Sequence, residues 1–487
     1  MRILSAYPNK AFSPVFGKKR NLLGCIPAAH IFVLALVSGL GIYQTAVAQA
    51  AYNGRLDHIP SYNSSISTDR WEEDWHWVPK DAPFPLSIKS IGENDLTTAI
   101  GLDFRSRVEL RNPDNFGIGN LGSAASVSNR LLASFDTHIG ENLRAYVQLG
   151  TWGQTGKRRP SFFDETDLTI QRAFVDWKFS PNTMIRIGRQ DLFKTSSRLL
   201  GTADALNYQP VYDAAVVRVL NKSLRLQAFV ARPYFAADGY FKETDLGNAS
   251  FSGLFIERGF ATLPGWDFGV YGMWQERDRV LFPRRPGAER RGTLVGRVTW
   301  RTDHWSASTE AGYQFGSLGM KAISGWAFAT EASFSLRSSR KAKWTLRVDG
   351  ASGDNGSSGK IEAWSASAPA MAFLGRNGVN APSNAISVFP EVSFNEGPQL
   401  RVTVGGEFTW RSDGYDAFFS APGAMLLQPG APGADLILAG GGVQAAYTVS
   451  SNIEVRGVAF WLTPEGAFKA AGGKPQAGAT FSVIGKF

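Results

Sequence analysis

The chain has 487 residues, 51 Lys+Arg against 42 Asp+Glu for a formal net charge of +9, 52 Gly, 33 Phe, 14 Trp and one Cys. Five of the basic residues, Arg2, Lys10, Lys18, Lys19 and Arg20, lie in the first fifty positions, where there is no acid, so the rest carries 46 basic against 42 acidic side chains, or +4. So small an excess argues against nucleic-acid binding, which needs a basic stripe on one face, and the lone Cys25 leaves no disulfide framework and no thiolate metal site.

Residues 1–50 read as a Sec-type signal peptide. Basic Lys18-Lys19-Arg20 precedes an apolar run from about Ile26 to Ile42, and small residues follow at Ala46-Val47-Ala48 and Ala48-Gln49-Ala50. Cleavage after Ala48 or Ala50 is expected. Leu22-Leu23-Gly24-Cys25 imitates a lipoprotein box but precedes the apolar run instead of following it. Beyond the signal, no stretch approaches the ~18 apolar residues that a spanning helix requires, so a membrane role must use strands.

Residues 51–95 are polar, rich in Trp and Pro, and without a sustained period, which suits an irregular lead-in on the periplasmic side. Its stretch Trp71-Glu72-Glu73-Asp74-Trp75-His76-Trp77 either stacks on sugar or packs against a periplasmic rim, and packing is favoured. From about Ala99 the chain alternates apolar with polar in runs of roughly nine to thirteen residues separated by turn residues. On 102–111, Leu102, Phe104, Ser106, Val108 and Leu110 oppose Asp103, Arg105, Arg107, Glu109 and Arg111. On 143–152, Leu143, Ala145, Val147 and Leu149 oppose Arg144, Tyr146 and Gln148. On 400–411, Leu400, Val402, Val404, Phe408 and Trp410 oppose Arg401, Thr403, Glu407, Thr409 and Arg411. Runs at 294–301, 305–315, 344–350 and 453–461 behave alike.

A soluble sandwich also alternates, but its strands average about five to six residues. A bilayer needs strands of ~9–11 residues, and closure satisfies every backbone group in lipid. The last strand, Ala479 to Phe487, alternates and ends on phenylalanine, resembling the signal read by the outer-membrane insertion machinery. The expected fold is all-β, a transmembrane antiparallel β-barrel over 96–487, with long loops at about 113–127, 153–166, 233–249, 351–385 and 412–434.

Gly117-Ile118-Gly119-Asn120-Leu121-Gly122 matches a dinucleotide fingerprint but lies between two alternating strands, where the βαβ context is missing. His58, His76, His138 and His304 are scattered without metal-ligand spacing, and no catalytic constellation can be argued. No enzyme activity and no cofactor are expected. What remains is the water-facing set: Arg105, Arg107, Arg111, Arg130, Arg144, Arg172, Arg186, Arg225, Arg297, Arg301, Arg347, Arg401, Arg411 and Arg456 share faces with fewer acids, and lysine is nearly absent there. Arg and acid can simply brace the wall across strands. Guanidinium is always charged and forks onto carboxylates, so the same arginines also suit passage of a carboxylated chain.

Laid out in order, these segments resemble the alginate export family of outer-membrane barrels. Glu73-Asp74-Trp75 and Asp103-Phe-Arg105-Ser-Arg107-Val-Glu109 look like its opening, and Asp167-Leu-Thr-Ile-Gln171-Arg-Ala-Phe174-Val-Asp176 like its "QAFVD" strand. Ile187-Gly188-Arg189-Gln190-Asp191-Leu192 with Arg198-Leu199 is similar to its "GRQ…RL" signature, and Asp349-Gly-Ala-Ser352-Gly353-Asp354 with Gly359-Lys360 to a late loop. The chain departs from the family at Trp364-Ser-Ala-Ser-Ala-Pro369 and after Asp213, where Ala-Ala replaces Gly.

The resemblance implies about eighteen strands, a basic constriction, gating by extracellular loops and a periplasmic segment, and export of an acidic exopolysaccharide. Arg189 and Arg198 join the expected substrate path through the signature, although simple alternation from Ile185 and Ile187 puts Arg189 on the lipid face and calls for a bulge or strand end near Gly188. Expected partners are the anionic polysaccharide, outer-membrane lipid and the insertion machinery, with periplasmic polysaccharide-synthesis proteins as candidates. The main rival is a porin that takes small anions or sugars inward. A barrel hydrolase would need a nucleophile and base at the rim, and His138 and His304 are the only strand histidines to supply one.

Overall fold

Alternation puts successive side chains on opposite faces of a strand, and in the computed structural model those faces are inverted relative to a soluble protein. Val147, Val175, Ile187 and Val404 are exposed, whereas Arg144, Gln148, Asp176 and Glu407 are buried. Such a wall is stable only with hydrocarbon outside, since a polar group unsatisfied in lipid costs several kcal/mol. The structure describes Arg70, Glu73, Trp75, Val78, Pro79, Asp81, Ala82 and 84–487, apart from 94, 159–163, 193–197, 201–206, 245–247, 279–286, 337–340, 357, 366–382, 420–424 and 431–435. The expected signal peptide with its cleavage site, and Trp71, Glu72, Asp74, His76 and Trp77, lie outside the described residues.

A three-residue strand β1 (Ile91–Glu93) folds back on β2 (Leu96–Asn112). An antiparallel meander follows through β3 (Ala124–Ile139), β4 (Leu143–Thr155), β5 (Thr166–Ser180), β6 (Thr183–Gln190), β7 (Val211–Leu220) and β8 (Leu224–Tyr234). It continues as β9 (Ala249–Gly259), β10 (Trp266–Arg277), β11 (Glu289–Arg301), β12 (Trp305–Leu318), β13 (Lys321–Ser335), β14 (Lys343–Ala351), β15 (Ala385–Glu396) and β16 (Leu400–Arg411). The hairpin β17 (Phe418–Phe419) and β18 (Met425–Leu427) leaves the wall, which resumes with β19 (Leu436–Ser450), β20 (Ile453–Pro464) and β21 (Gln476–Lys486).

β21 pairs with β2, with Arg105 opposite Ile484 and Val108 opposite Phe481, and this seam closes a barrel of 18 strands. Past the end of β21, Phe487 exchanges both backbone hydrogen bonds with Leu102, each 2.8 Å. Short turns at 140–142, 181–182, 221–223, 302–304, 397–399 and 451–452 gather at one end and most of the long loops at the other. In barrels of this kind the short-turn end is periplasmic.

The five loops expected from sequence all join strands, although at the first four the strands run one to a few residues further into them. A sixth, after β6, was not anticipated, and its described residues 191–192, 198–200 and 207–210 reach into the lumen. Its Leu192, Leu199 and Leu200 are buried with Val216, Phe229, Phe255, Tyr271, Met273 and Val295 from the inner faces of β7–β11, and with Trp364 from the loop after β14. One sector of the interior is therefore a packed apolar core. A second apolar cluster packs Phe460 and Leu462 of β20 and Leu438 of β19 against Phe116, Phe418 and Phe468. The expected polar inner wall is seen on β3 to β6 and on β16.

Candidate functional site: the arginine-lined lumen

Charge alternates across the inner face of β3 to β6. Arg144 stands opposite Asp176, and Asp176 opposite Arg186, so the strand register itself sets guanidinium against carboxylate. Arg144 forks onto Asp136 at 2.6 and 2.5 Å, and Arg186 onto Asp176 at 2.5 and 2.7 Å. Arg186 also lies 3.8 Å from the Phe174 ring centroid, and Phe174 stacks on Tyr146 at 5.1 Å. These arginines are buried, and their bidentate geometry fixes them as braces of the wall.

The inward loop engages a second group. Arg172 forks onto Asp191 at 2.6 and 3.0 Å and also donates to Gln148 and Gln209. Arg105 donates to Asn207 Oδ1 at 3.4 Å and Arg130 to the Asn207 carbonyl at 3.3 Å, while Asn207 Nδ2 donates to the carbonyls of Asn129 and Gly153. On the far side of the lumen, the Arg198 backbone N–H donates to Glu310 at 2.6 Å and its guanidinium to Asp349 at 2.5 Å. Arg347, beside Asp349 at 3.3 Å, lies over the Phe389 ring at 4.3 Å. The described residues of this loop are thus bonded to β12 and β14 through Arg198 and to β3, β4 and β5 through Asn207 and Asp191.

A third group is more open. Following the hydrogen-bonded row, Arg401 on β16 faces Ala446, Ala446 faces Arg456 on β20, Arg456 faces Ser482, and Ser482 faces Arg107 on β2. Three arginines therefore stand on alternate strands of one row, roughly 10 Å apart, separated by side chains too short to cover them. All three share the inward parity of Thr403, Phe460 and Arg105. Arg401 and Arg456 are nevertheless exposed, while Arg144, Arg172 and Arg186 are only 2–3% exposed. Arg107 lies 3.5 Å from Glu109 and Arg456 2.5 Å from Glu454. Arg111, further up β2, lies over the Phe460 ring at 5.5 Å.

Arg189 is a correction to the expected lumen set. Arg186 and Gln190 point inward and Ile187 outward, so Arg189 falls on the outward parity, where it forks onto Asp213 at 2.8 and 3.2 Å beside Arg232. The distortion expected near Gly188 exists: its φ is +126°, and a Cβ there would stand 2.2 Å from the Ala173 carbonyl. It does not turn Arg189 inward. Sequence reasoning also missed Arg291, which is inward and bonded to Glu289 at 2.8 Å and Gln314 at 2.8 Å. Extending the alternation of 294–301 back to 291 is a signal that finds it.

A family model for alginate export matches residues 97–462. No curated protein matches the chain. Among solved structures, Pseudomonas aeruginosa OccK11 (OpdR) is similar at 11% identity and a TM-score of 0.55, over 80% of this chain and 96% of that one. A BenF-like porin from Pseudomonas fluorescens Pf-5 aligns at 10% identity and a TM-score of 0.57, over 80% of this chain and 98% of that one. Pseudomonas aeruginosa OccK2 (OpdF), solved in complex with glucuronate, aligns at 13% identity and a TM-score of 0.55, again over 80% and 98%. At such identities the likeness establishes the fold alone.

Proposed function

This chain belongs to the alginate export family, and from that premise we propose that it is an outer-membrane channel exporting an anionic exopolysaccharide, alginate or a relative, through its arginine-lined lumen. The observation that carries the reading is the inward row Arg401, Arg456 and Arg107, the first two exposed and the third half-buried, interrupted only by Ala446 and Ser482. A fixed charge ~4 Å from a carboxylate is worth ~1 kcal/mol in bulk water and ~4 kcal/mol at an effective dielectric of 20. Charges spaced along a row let a carboxylated chain exchange one guanidinium for the next without a deep trap. Passage is guided diffusion without catalysis.

The braced arginines of β4 to β6 serve this indirectly, keeping the wall rigid while their charge is largely neutralised by Asp136 and Asp176. The leader 1–50 is removed on export, and the terminal strand is the handle for the insertion machinery.

Planar-bilayer recordings under a salt gradient test the proposal. The wild-type pore is expected to be anion-selective, and changing Arg107, Arg401 and Arg456 together to glutamate is expected to move the reversal potential toward cation selectivity in a folded barrel. A folded triple variant with unchanged selectivity would sink the row as the substrate path. Inward transport of small carboxylated sugars is the second reading, favoured by Leu192, Leu199 and Leu200, which pack inside the barrel against the inner faces of β7 to β11. Loss of a secreted acidic polymer in a deletion strain supports export, and loss of growth on a uronate supports uptake.

A further inference from the structure

Each pair of consecutive wall strands is tethered by the segment between them, whereas β2 and β21 close the ring with no such tether. Their pairing also stops short. β21 covers β2 from Asn112 to Asp103, and Phe487 extends the cover to Leu102. β2 itself continues to Leu96, and β3 occupies its other edge from Leu96 to Arg111. The seam edge of β2 between Leu96 and Gly101 is therefore left open by the last strand, and an open edge of this kind is a template for pairing with a foreign strand.

The lead-in fills that edge. β1 pairs with Leu96, Thr97 and Thr98, necessarily on the side away from β3. Next along, the Ile100 carbonyl accepts from Lys89 Nζ at 2.6 Å. Arg70 Nη2 donates to the carbonyl of Phe487, which also accepts from the Leu102 N–H, so the guanidinium reaches the point where the last strand ends. Arg70 is held there by Glu73 at 3.2 Å and lies 3.7 Å from Asp103 on β2. Trp75 Nε1 donates to Glu73 at 2.9 Å, and the Trp75 ring centroid lies 5.2 Å from Lys89 Nζ. Arg70, Glu73, Trp75 and Lys89 are all buried. The wall makes room for them at Gly101, where a Cβ would stand 2.4 Å from Arg70 Nη2 and 2.4 Å from the inward Ser134 Oγ.

We propose that the lead-in is a clasp of the barrel seam: β1, Lys89 and Arg70 complete the edge of β2 that β21 leaves open and tie it to the end of the last strand. The clasp forms only on a closed ring, because the partners of Arg70 lie at opposite ends of the wall, Asp103 on β2 and Phe487 past β21. It locks the barrel after closure and keeps the seam from reopening sideways into the membrane. The inference does not depend on what passes the pore.

Amide hydrogen exchange on the whole folded chain in lipid vesicles tests the clasp. In Arg70→Ala, and in Gly101→Leu, which claims the space of the guanidinium, amides of 477–486 should exchange several-fold faster than in the parent. Those of β9 and β10, half-way round the ring, should be unchanged. A disulfide across the seam, Val108→Cys with Phe481→Cys in a Cys25→Ser chain, joins residues that stand opposite each other and should return the seam rate to that of the parent. Folded variants with unchanged seam exchange overturn the clasp, as does an acceleration spread equally over β9 and β10. Where Arg70→Ala alone gives no heat-modifiable barrel, the disulfide is expected to restore one, and failure of that rescue also overturns the clasp.

Discussion

At the residue scale, the same side chain does different work according to what the fold sets beside it. Arg144 and Arg107 read identically in sequence, each inward on an alternating strand, yet one is locked onto Asp136 and the other stands on an accessible row. Lys89 shows the effect on a titratable group outside the wall. Burial, with Arg70 next, pushes its pKa down from 10.5 to about 7, against the pull of Glu73, Asp103 and Asp136. A released lead-in recovers the ordinary value. Between about 7 and 10.5 the released lysine then holds a proton that the docked one lacks, so docking strengthens as pH rises through that window and is flat below it. Protection of the lead-in from protease should accordingly rise as the pH is raised from about 7 toward 10.5, and Lys89→Met should flatten the dependence. Protection that falls over this range in the parent chain would contradict the sign.

At the scale of the element, strand faces follow from a period of two, and a slip of one residue would exchange them wholesale. Val404 faces outward and Thr403 inward on β16. Placing arginine on the outer face near the bilayer midplane costs ~2–4 kcal/mol. Val404→Arg should therefore lower the unfolding free energy by about that much, and Thr403→Arg by much less, as read by urea titration in lipid vesicles; the reverse order would put the register wrong by one. The closing strand carries a second expectation. Phe487 adds two backbone bonds to Leu102 and stacks on Phe104 at 6.4 Å, so removing it weakens the seam as well as the terminal signal. Its deletion should reduce the heat-modifiable barrel recovered from outer membranes, and it should also loosen the lead-in, which bonds the Phe487 carbonyl.

For the whole molecule, the interior combines two apolar clusters, one against Leu192, Leu199 and Leu200 of the loop after β6 and one around Phe460 and Phe468, with polar stretches that bear the arginine row. The loop was not legible because its anchors are remote: the Arg198 backbone reaches Glu310, 112 residues away, and its side chain reaches Asp349, 151 residues away. No local period encodes such contacts. The lead-in was legible only as a segment that packs, since its partners lie on β2 and at the far end of the chain. Arg291 was within reach of simple alternation, whereas the outward position of Arg189 was signalled by alternation and outweighed by a motif.

By itself the sequence determined that the chain is a barrel and, on the strands whose alternation it shows, which face meets lipid, because a period of two is a local property that the bilayer enforces. Only the tertiary structure decided which inward arginines share a row and which are spent on bracing. Arg107, Arg401 and Arg456 are separated along most of the chain and meet because the seam between β2 and β21 closes in one register. Closure is a ring condition on all the strands together, and no single strand carries it.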